Sequence, residues 1–288
     1  MQGLSNITTD FLSLPELVQK GCRAAVLRLD KLHPIVSGNK WFKLKYHLSA
    51  AANSNAETIV TFGGAWSNHI VAAAFAAGEA GFRSIGIVRG EQPASLSATL
   101  RTAASYGMEL LFISRDDFKQ KEMATPVQEL LCTLKSYYLI PEGGAGELGI
   151  KGCKEILPLA DHAAAYTHIV CAVGTGTMLA GLQQAAAPHQ QVIAIPVLKG
   201  MSSPAAEYHF GGYAKKTPEL LAFMDDFYER TGIPTDFVYT GKLMYAFIDL
   251  LCTDRFPPGS NILLIHSGGL QGNASLTQDM LRMPLPEG

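Results

Sequence analysis

The sequence predicts an α/β fold with mostly parallel sheets, and three observations lead there. Short runs rich in Val, Ile and Leu alternate with helix-like stretches. The runs are continuously apolar rather than alternating, as strands buried on both faces are. Glycine clusters follow several of them and open the next helical stretch, which is the punctuation of βα units with right-handed crossovers.

In chain order, strands are expected at 24–29 (AAVLRL), 58–61 (TIVT), 84–88 (SIGIV), 109–113 (ELLFI), 137–140 (YYLI), 168–172 (HIVCA), 191–197 (QVIAIPV) and 261–265 (NILLI). Helices are expected between many of them, at 68–80, 95–106, 150–162 and 176–187. The most charged segment, 115–122, reads as a solvated helix face. With 288 residues the chain is one large or two modest domains. No Pro/Gly-rich linker marks a boundary, so the chain is expected to cross between domains more than once.

Composition narrows the function. Hydrophobic residues make up 48% and charged residues 17%, which excludes disorder. Lys plus Arg number 23 against 25 Asp plus Glu, so no basic surplus exists to neutralise a nucleic acid. The best apolar run, 70–77, is far short of the ~20 residues a membrane span needs. The first ten residues lack a basic region followed by an apolar stretch, so no secretory signal is expected. Five scattered cysteines without C-x-x-C argue against a disulfide framework or a zinc site. No H-x-x-x-H pair occurs, so no metal is expected; reduced thiols in a cytoplasmic protein are.

Of the 28 glycines, seven fall in four turns that matter: Ser37-Gly38-Asn39-Lys40, Phe62 to Asn68, Val173 to Thr177 and His266 to Gly269. Ligands of parallel sheets bind at the carboxyl ends of strands. A helix N-terminus there presents unpaired N–H groups to an anion. Gly174, Thr175, Gly176 and Thr177 therefore read as a phosphate cup or a plain βα turn. Walker A is absent, and the spacing Gly174, Gly176, Gly181 with no carboxylate ending the next strand disfavours NAD. A compact phosphate ester fits better. Lys40 stands in a glycine-bearing turn before an apolar helix. A desolvated lysine can form a Schiff base, and a phosphate cup with such a lysine is what pyridoxal phosphate requires.

Six segments in order, HPIVSGNKWFKLKY (33–46), GGAWSNH (63–69), PEGGAGELGIKG (141–152), Gly174 to Thr177, VYTGK (238–242) and HSGG (266–269), resemble pyridoxal-phosphate enzymes of the tryptophan synthase β-subunit type. Within that family the chain is similar to the 1-aminocyclopropane-1-carboxylate deaminase/D-cysteine desulfhydrase group. The resemblance implies two three-layer α/β domains with the cofactor between them. The smaller spans 46–134 and carries the Ser67-Asn68 loop; the larger combines 1–45 with 135–288. It also implies a homodimer.

Residue by residue, the resemblance makes Lys40 the cofactor-holding lysine and proton carrier. Lys43, Gly174, Thr175, Gly176 and Thr177 match phosphate contacts, and Asn68 matches the partner of the ring hydroxyl. Ser67, Asn68 and His69 lie where the substrate carboxylate is held, at a helix start where Ser67 is equally a plain N-cap. Tyr213 and Tyr239 match active-site tyrosines. Thr240 falls at the pyridine nitrogen, and Ser267, before the final glycine pair, falls among the substrate-binding residues. His266 reads as a core histidine.

Ring-opening members carry Glu and Leu where this chain has Thr240 and Ser267. A neutral hydroxyl leaves the ring less electrophilic, which suits loss of an α-proton and a β-thiolate. The expected activity is D-cysteine desulfhydrase-like α,β-elimination giving pyruvate and ammonia. The alternatives are 1-aminocyclopropane-1-carboxylate deamination, a catalytically weak cofactor-binding paralogue, or a plain nucleotide-binding protein. Two departures from the family pattern, Leu29 for a carboxylate and Phe42 for an arginine, touch specificity.

Overall fold

The computed structural model describes residues 4–199, 206–277 and 280–283. In chain order its main elements are β1 (Thr9–Phe11), α1 (Pro15–Gln19), β2 (Arg23–Arg28), α2 (Asn39–Asn53), β3 (Thr58–Gly63), α3 (Asn68–Glu79), β4 (Arg83–Arg89), α4 (Ala98–Ser105), β5 (Met108–Ile113), α5 (Arg115–Gln120), α6 (Thr125–Thr133), β6 (Tyr137–Ile140), α7 (Glu147–Cys153), β7 (His168–Val173), α8 (Thr177–Ala185), β8 (Gln191–Pro196), α9 (Pro218–Thr231), α10 (Thr240–Cys252) and β9 (Asn261–His266). All eight expected strands form, within two residues of their expected ends.

Contacts divide the chain into two compact units, 1–39 with 153–288, and 40–152. The expected boundaries, 46 and 134, fall inside the second unit. That unit reaches further because α2 runs on from Lys40 and because β6 pairs with β3.

The first unit is built on a five-stranded sheet of order β1-β2-β9-β7-β8. β2, β9, β7 and β8 are parallel, and Arg28 is registered with His266. β1 is an antiparallel edge strand with no apolar run to announce it. Its core sets Val26, Val170, Ile262 and Leu264 of the sheet against Leu243, Met244 and Phe247 of α10. Each such side chain, fully buried, contributes ~1.5–3 kcal/mol relative to exposure.

The second unit is built on a four-stranded, all-parallel sheet of order β5-β4-β3-β6. Val60, Phe62, Ile85 and Ile87 pack on Phe118, Val127 and Leu131. The Lys121 ammonium sits 3.5 Å from the centre of the Phe118 ring and pairs with Glu142 at 2.7 Å.

Helix starts and stops correct three sequence expectations. α2 begins at Asn39, so Lys40 lies in its first turn rather than in the turn before it. α4 starts at Ala98 because the Ser97 hydroxyl caps it, accepting from Leu100 N–H at 3.2 Å. The helix expected at 150–162 is instead α7, followed by a short 3₁₀ turn at Leu157–Leu159. Pro158 has no N–H to continue an α-helix.

Candidate active site

Both sheets carry their glycine turns at the carboxyl ends of parallel strands, where α/β proteins bind ligands. In the second unit, β3 ends at Gly63 and α3 begins at Asn68. A Cβ on Gly63 would stand 2.5 Å from an Ile70 side-chain carbon and 2.9 Å from the Ser67 hydroxyl, so only glycine lets this turn close. Ser67 occupies the N-cap position of α3 with extended backbone, yet its side chain makes no capping bond. That removes the simple capping role.

Asn68 and His69 follow, both buried. Asn68 Oδ1 is sealed from solvent without a hydrogen-bond partner. A buried acceptor left unpaired costs ~1–3 kcal/mol, so this atom fits a group that arrives with a donor, such as a cofactor ring hydroxyl. His69 is locked in one tautomer. Thr61 gives its hydroxyl proton to the Ile140 carbonyl at 2.9 Å, so it can only accept from His69 Nε2–H at 2.8 Å. Nδ1 is then a bare, buried lone pair. Burial, reinforced by the charges of Lys40, Lys43 and His47, holds the ring well below the usual histidine pKa. A neutral ring with this lone pair is no carboxylate donor.

Lys40 and Lys43 lie on α2. Lys43 is buried, and Gly144 makes room for it: a Cβ there would sit 2.9 Å from Lys43 Cβ. Phe42 is buried too, its carbonyl oxygen only 1.8 Å from where a Gly152 Cβ would be.

In the first unit, β7 ends at Val173, and Gly176 at φ +80° caps α8. The Thr175 and Thr177 hydroxyls lie 3.1 Å apart, Thr177 on the first turn of α8. The Tyr239 ring covers Gly174, whose Cβ would be 3.3 Å from it. The Tyr213 and Tyr239 rings meet edge to face, centroids 6.2 Å apart. The structure thus brings together Gly174, Tyr213, Tyr239 and, next in the chain, Thr240. Ser267 belongs to another loop, where its carbonyl accepts from Asn39 N–H at 3.1 Å and would overlap a Cβ on Gly38.

Three residues outside the expected set organise these loops. Asp236 is fully buried at 0% exposure. Its carboxylate accepts from the N–H groups of Val238, Tyr239 and Thr240, each at 2.9 Å, and from the Thr240 hydroxyl at 2.6 Å. That hydroxyl in turn accepts from Asp236 N–H at 2.7 Å. Thr240 is therefore held by a carboxylate.

His266 Nε2 donates to the Pro234 carbonyl at 2.8 Å, and its Nδ1 lies 3.2 Å from Asp30. Arg28 bonds both Asp30 and Asp10. Burial alone would raise the Asp30 pKa, but His266 and Arg28 hold it below the usual carboxylate range. Leu29 between them is fully buried core. Lys242 is the third residue. It is fully buried, and burial pushes its pKa down to about 8 against the pull of Asp236. The sequence signal for this group was faint but real: Asp236 and Lys242 are the two charges in the apolar stretch TDFVYTGKLMYAF.

Among the described residues, no helix is long and apolar enough to cross a membrane, and no cluster of three His, Cys, Asp or Glu could hold a metal. A family model described as pyridoxal-phosphate dependent enzyme matches residues 4–198. A Pyrococcus horikoshii protein provisionally named as a 1-aminocyclopropane-1-carboxylate deaminase is 30% identical over 82% of this chain and 81% of its own. A Klebsiella pneumoniae D-cysteine desulfhydrase is 26% identical over 89% of this chain and 90% of its own. A crystal structure described as an ACC deaminase homologue superposes with a TM-score of 0.79 at 28% identity, covering 92% of this chain and 90% of that one.

Proposed function

Because the chain belongs to the pyridoxal-phosphate-dependent enzyme family, we propose that it eliminates the β-substituent of a small amino acid, D-cysteine foremost. With D-cysteine and water the products are pyruvate, ammonia and sulfide. The observation that carries this reading is a hydroxyl residue, Thr240 and Ser267, at both positions where ring-opening relatives have Glu and Leu. The similarity to a D-cysteine desulfhydrase supports it.

The residues fit the cofactor. The unpaired Asn68 Oδ1 suits its ring hydroxyl, and the α8 N-terminus with Gly174, Thr175, Gly176 and Thr177 suits its phosphate, with Lys43 as a cation. Pyridoxal phosphate, when bound, supplies the sink for the electron pair left on the α-carbon. Lys40 holds the cofactor and takes the α-proton as general base. Ser67 and the α3 N-terminus hold the substrate carboxylate. Tyr213 and Tyr239 stand near the departing group. In this reading the smaller domain, 46–134, carries the Ser67 loop, and the larger, 1–45 with 135–288, carries the glycine cup. The protein works as a cytoplasmic homodimer.

Ring opening of 1-aminocyclopropane-1-carboxylate is the second reading. One observation favours it: Asp236 puts a carboxylate directly behind the Thr240 hydroxyl. The test supplies each compound separately to the holoenzyme and measures pyruvate and sulfide. D-cysteine turnover with sulfide is the expected result; turnover of the cyclopropane compound alone overturns the Thr240 and Ser267 argument. Lys40→Ala is expected to abolish the visible absorbance of bound cofactor. Its persistence would show that another lysine holds it.

A further inference from the structure

Lys242 is a lysine in an expensive place. It sits in the first turn of α10, where the helix dipole is already positive, and it has no exposed surface. Its ammonium spans two backbone carbonyls on one segment, His209 O at 2.9 Å and Gly212 O at 2.8 Å. That segment is strained. Phe210 (φ +50°) and Ala214 (φ +52°) take left-handed backbone that side chains avoid, and Gly211 and Gly212 sit between them at +88° and +118°. Tyr213 rides on this turn.

The same face of α10 holds the segment at two further points. Tyr245 meets the Phe210 ring at 4.8 Å, and Asp249 accepts from the Tyr208 hydroxyl at 2.6 Å. These two contacts dock the segment. Lys242 is the side chain that ties the His209 and Gly212 carbonyls together, adding to the bonds these carbonyls accept from Gly212 N–H at 2.9 Å and Lys215 N–H at 3.3 Å within the turn. The Tyr213 ring, 40% exposed, meets Tyr239 from this turn.

We propose that Lys242 is a positioning residue for Tyr213: by bonding the His209 and Gly212 carbonyls it holds the left-handed turn that sets the Tyr213 phenol against Tyr239. The inference rests on the proposed function in giving Tyr213 a role at the substrate. Misplacing a reacting group by about an ångström costs on the order of 100-fold in rate.

The test is a double-mutant cycle on the holoenzyme with Lys242→Met, Tyr213→Phe and the pair, reading kcat and KM for D-cysteine. Each single change is expected to lower kcat on the order of 100-fold with little change in KM, and the pair no further than either alone. Multiplying losses in the pair would overturn the proposal. A second readout needs no turnover: tryptic cleavage after the exposed Lys215 and Lys216, located by mass. It is expected to speed up about tenfold or more in Lys242→Met and to stay at the wild-type rate in Tyr213→Phe. Equal cleavage in wild type and Lys242→Met would show that the turn does not depend on Lys242. Should Lys242→Met fail to fold, Lys242→Gln keeps an N–H donor and serves in both arms, with smaller losses expected. If wild type turns over no D-cysteine, the functional reading fails while the cleavage arm still judges the clamp.

Discussion

Acid should weaken the second unit through His69, and the size of the effect follows from its surroundings. The ring is fully buried, Nε2–H is committed to Thr61, and Nδ1 has no partner. Protonating Nδ1 would create a sealed cation near Lys40 and Lys43, so the folded pKa lies well below the ordinary 6.5. Below pH 6.5 the unfolded chain therefore binds a proton that the folded chain refuses. The sign is fixed: the stability is fully present above 6.5 and is lost as pH falls. By pH 5.5 the loss amounts to about 1.4 kcal/mol from this one ring. The assay is urea unfolding from pH 8 to 5.5, followed by tryptophan fluorescence. It reports the second unit, because both tryptophans, Trp41 and Trp66, lie within 40–152. His69→Gln serves as the non-titrating reference, so other groups cancel in the difference between the two proteins. The wild type should lose about 1.4 kcal/mol more than the variant across this range. Parallel pH dependences would refute the buried-neutral histidine.

Three further outcomes are expected. Asp236→Asn turns an amide donor toward groups that all donate, and should cost on the order of 2–3 kcal/mol in thermal or chemical unfolding; an unchanged midpoint would contradict the carboxylate-held turn. Gly38→Ala forces a side chain into left-handed backbone at φ +65° with its Cβ 1.9 Å from the Ser267 carbonyl oxygen. Roughly 1–2 kcal/mol of backbone strain and about 1–3 kcal/mol of overpacking should follow, seen as a lower Tm than that of Ala at Gly81, which has open space around it. Asp30, held below its ordinary 3.8, gives stability that is present above that value and is lost below it, as pH falls through the lower folded pKa. Asp30→Asn should flatten the acid limb of the first unit below about pH 4 by urea titration.

The strands were legible because parallel strands buried on both faces run apolar without interruption, as NILLI and HIVCA do. β1 was not, because Thr-Asp-Phe carries no such run and pairs only as an edge. The glycine turns were legible from their place after strands. What sequence could not supply was the state of the side chains. The His69 tautomer depends on where Thr61 sends its proton, and that depends on the Ile140 carbonyl from a different strand. Lys242 and His266 act through backbone carbonyls about 30 residues away, and Asp236 through the turn that follows it, so the sequence displays these residues without the bonds they make. The Thr240 hydroxyl looked neutral in isolation; only folding sets a carboxylate behind it.

The order of strands in the first sheet also bears on how the protein is made. Among the described strands its middle one, β9, is made after all the others, while β2, with which it pairs, is made before most of them. The continuous stretch 40–152 can close its own sheet while synthesis continues. The other sheet must wait, its β2 and β7 edges apolar and unpaired until residues 261–266 arrive. A nascent chain halted before residue 261 would expose two open strand edges at once, a template for aggregation that a chaperone would have to cover.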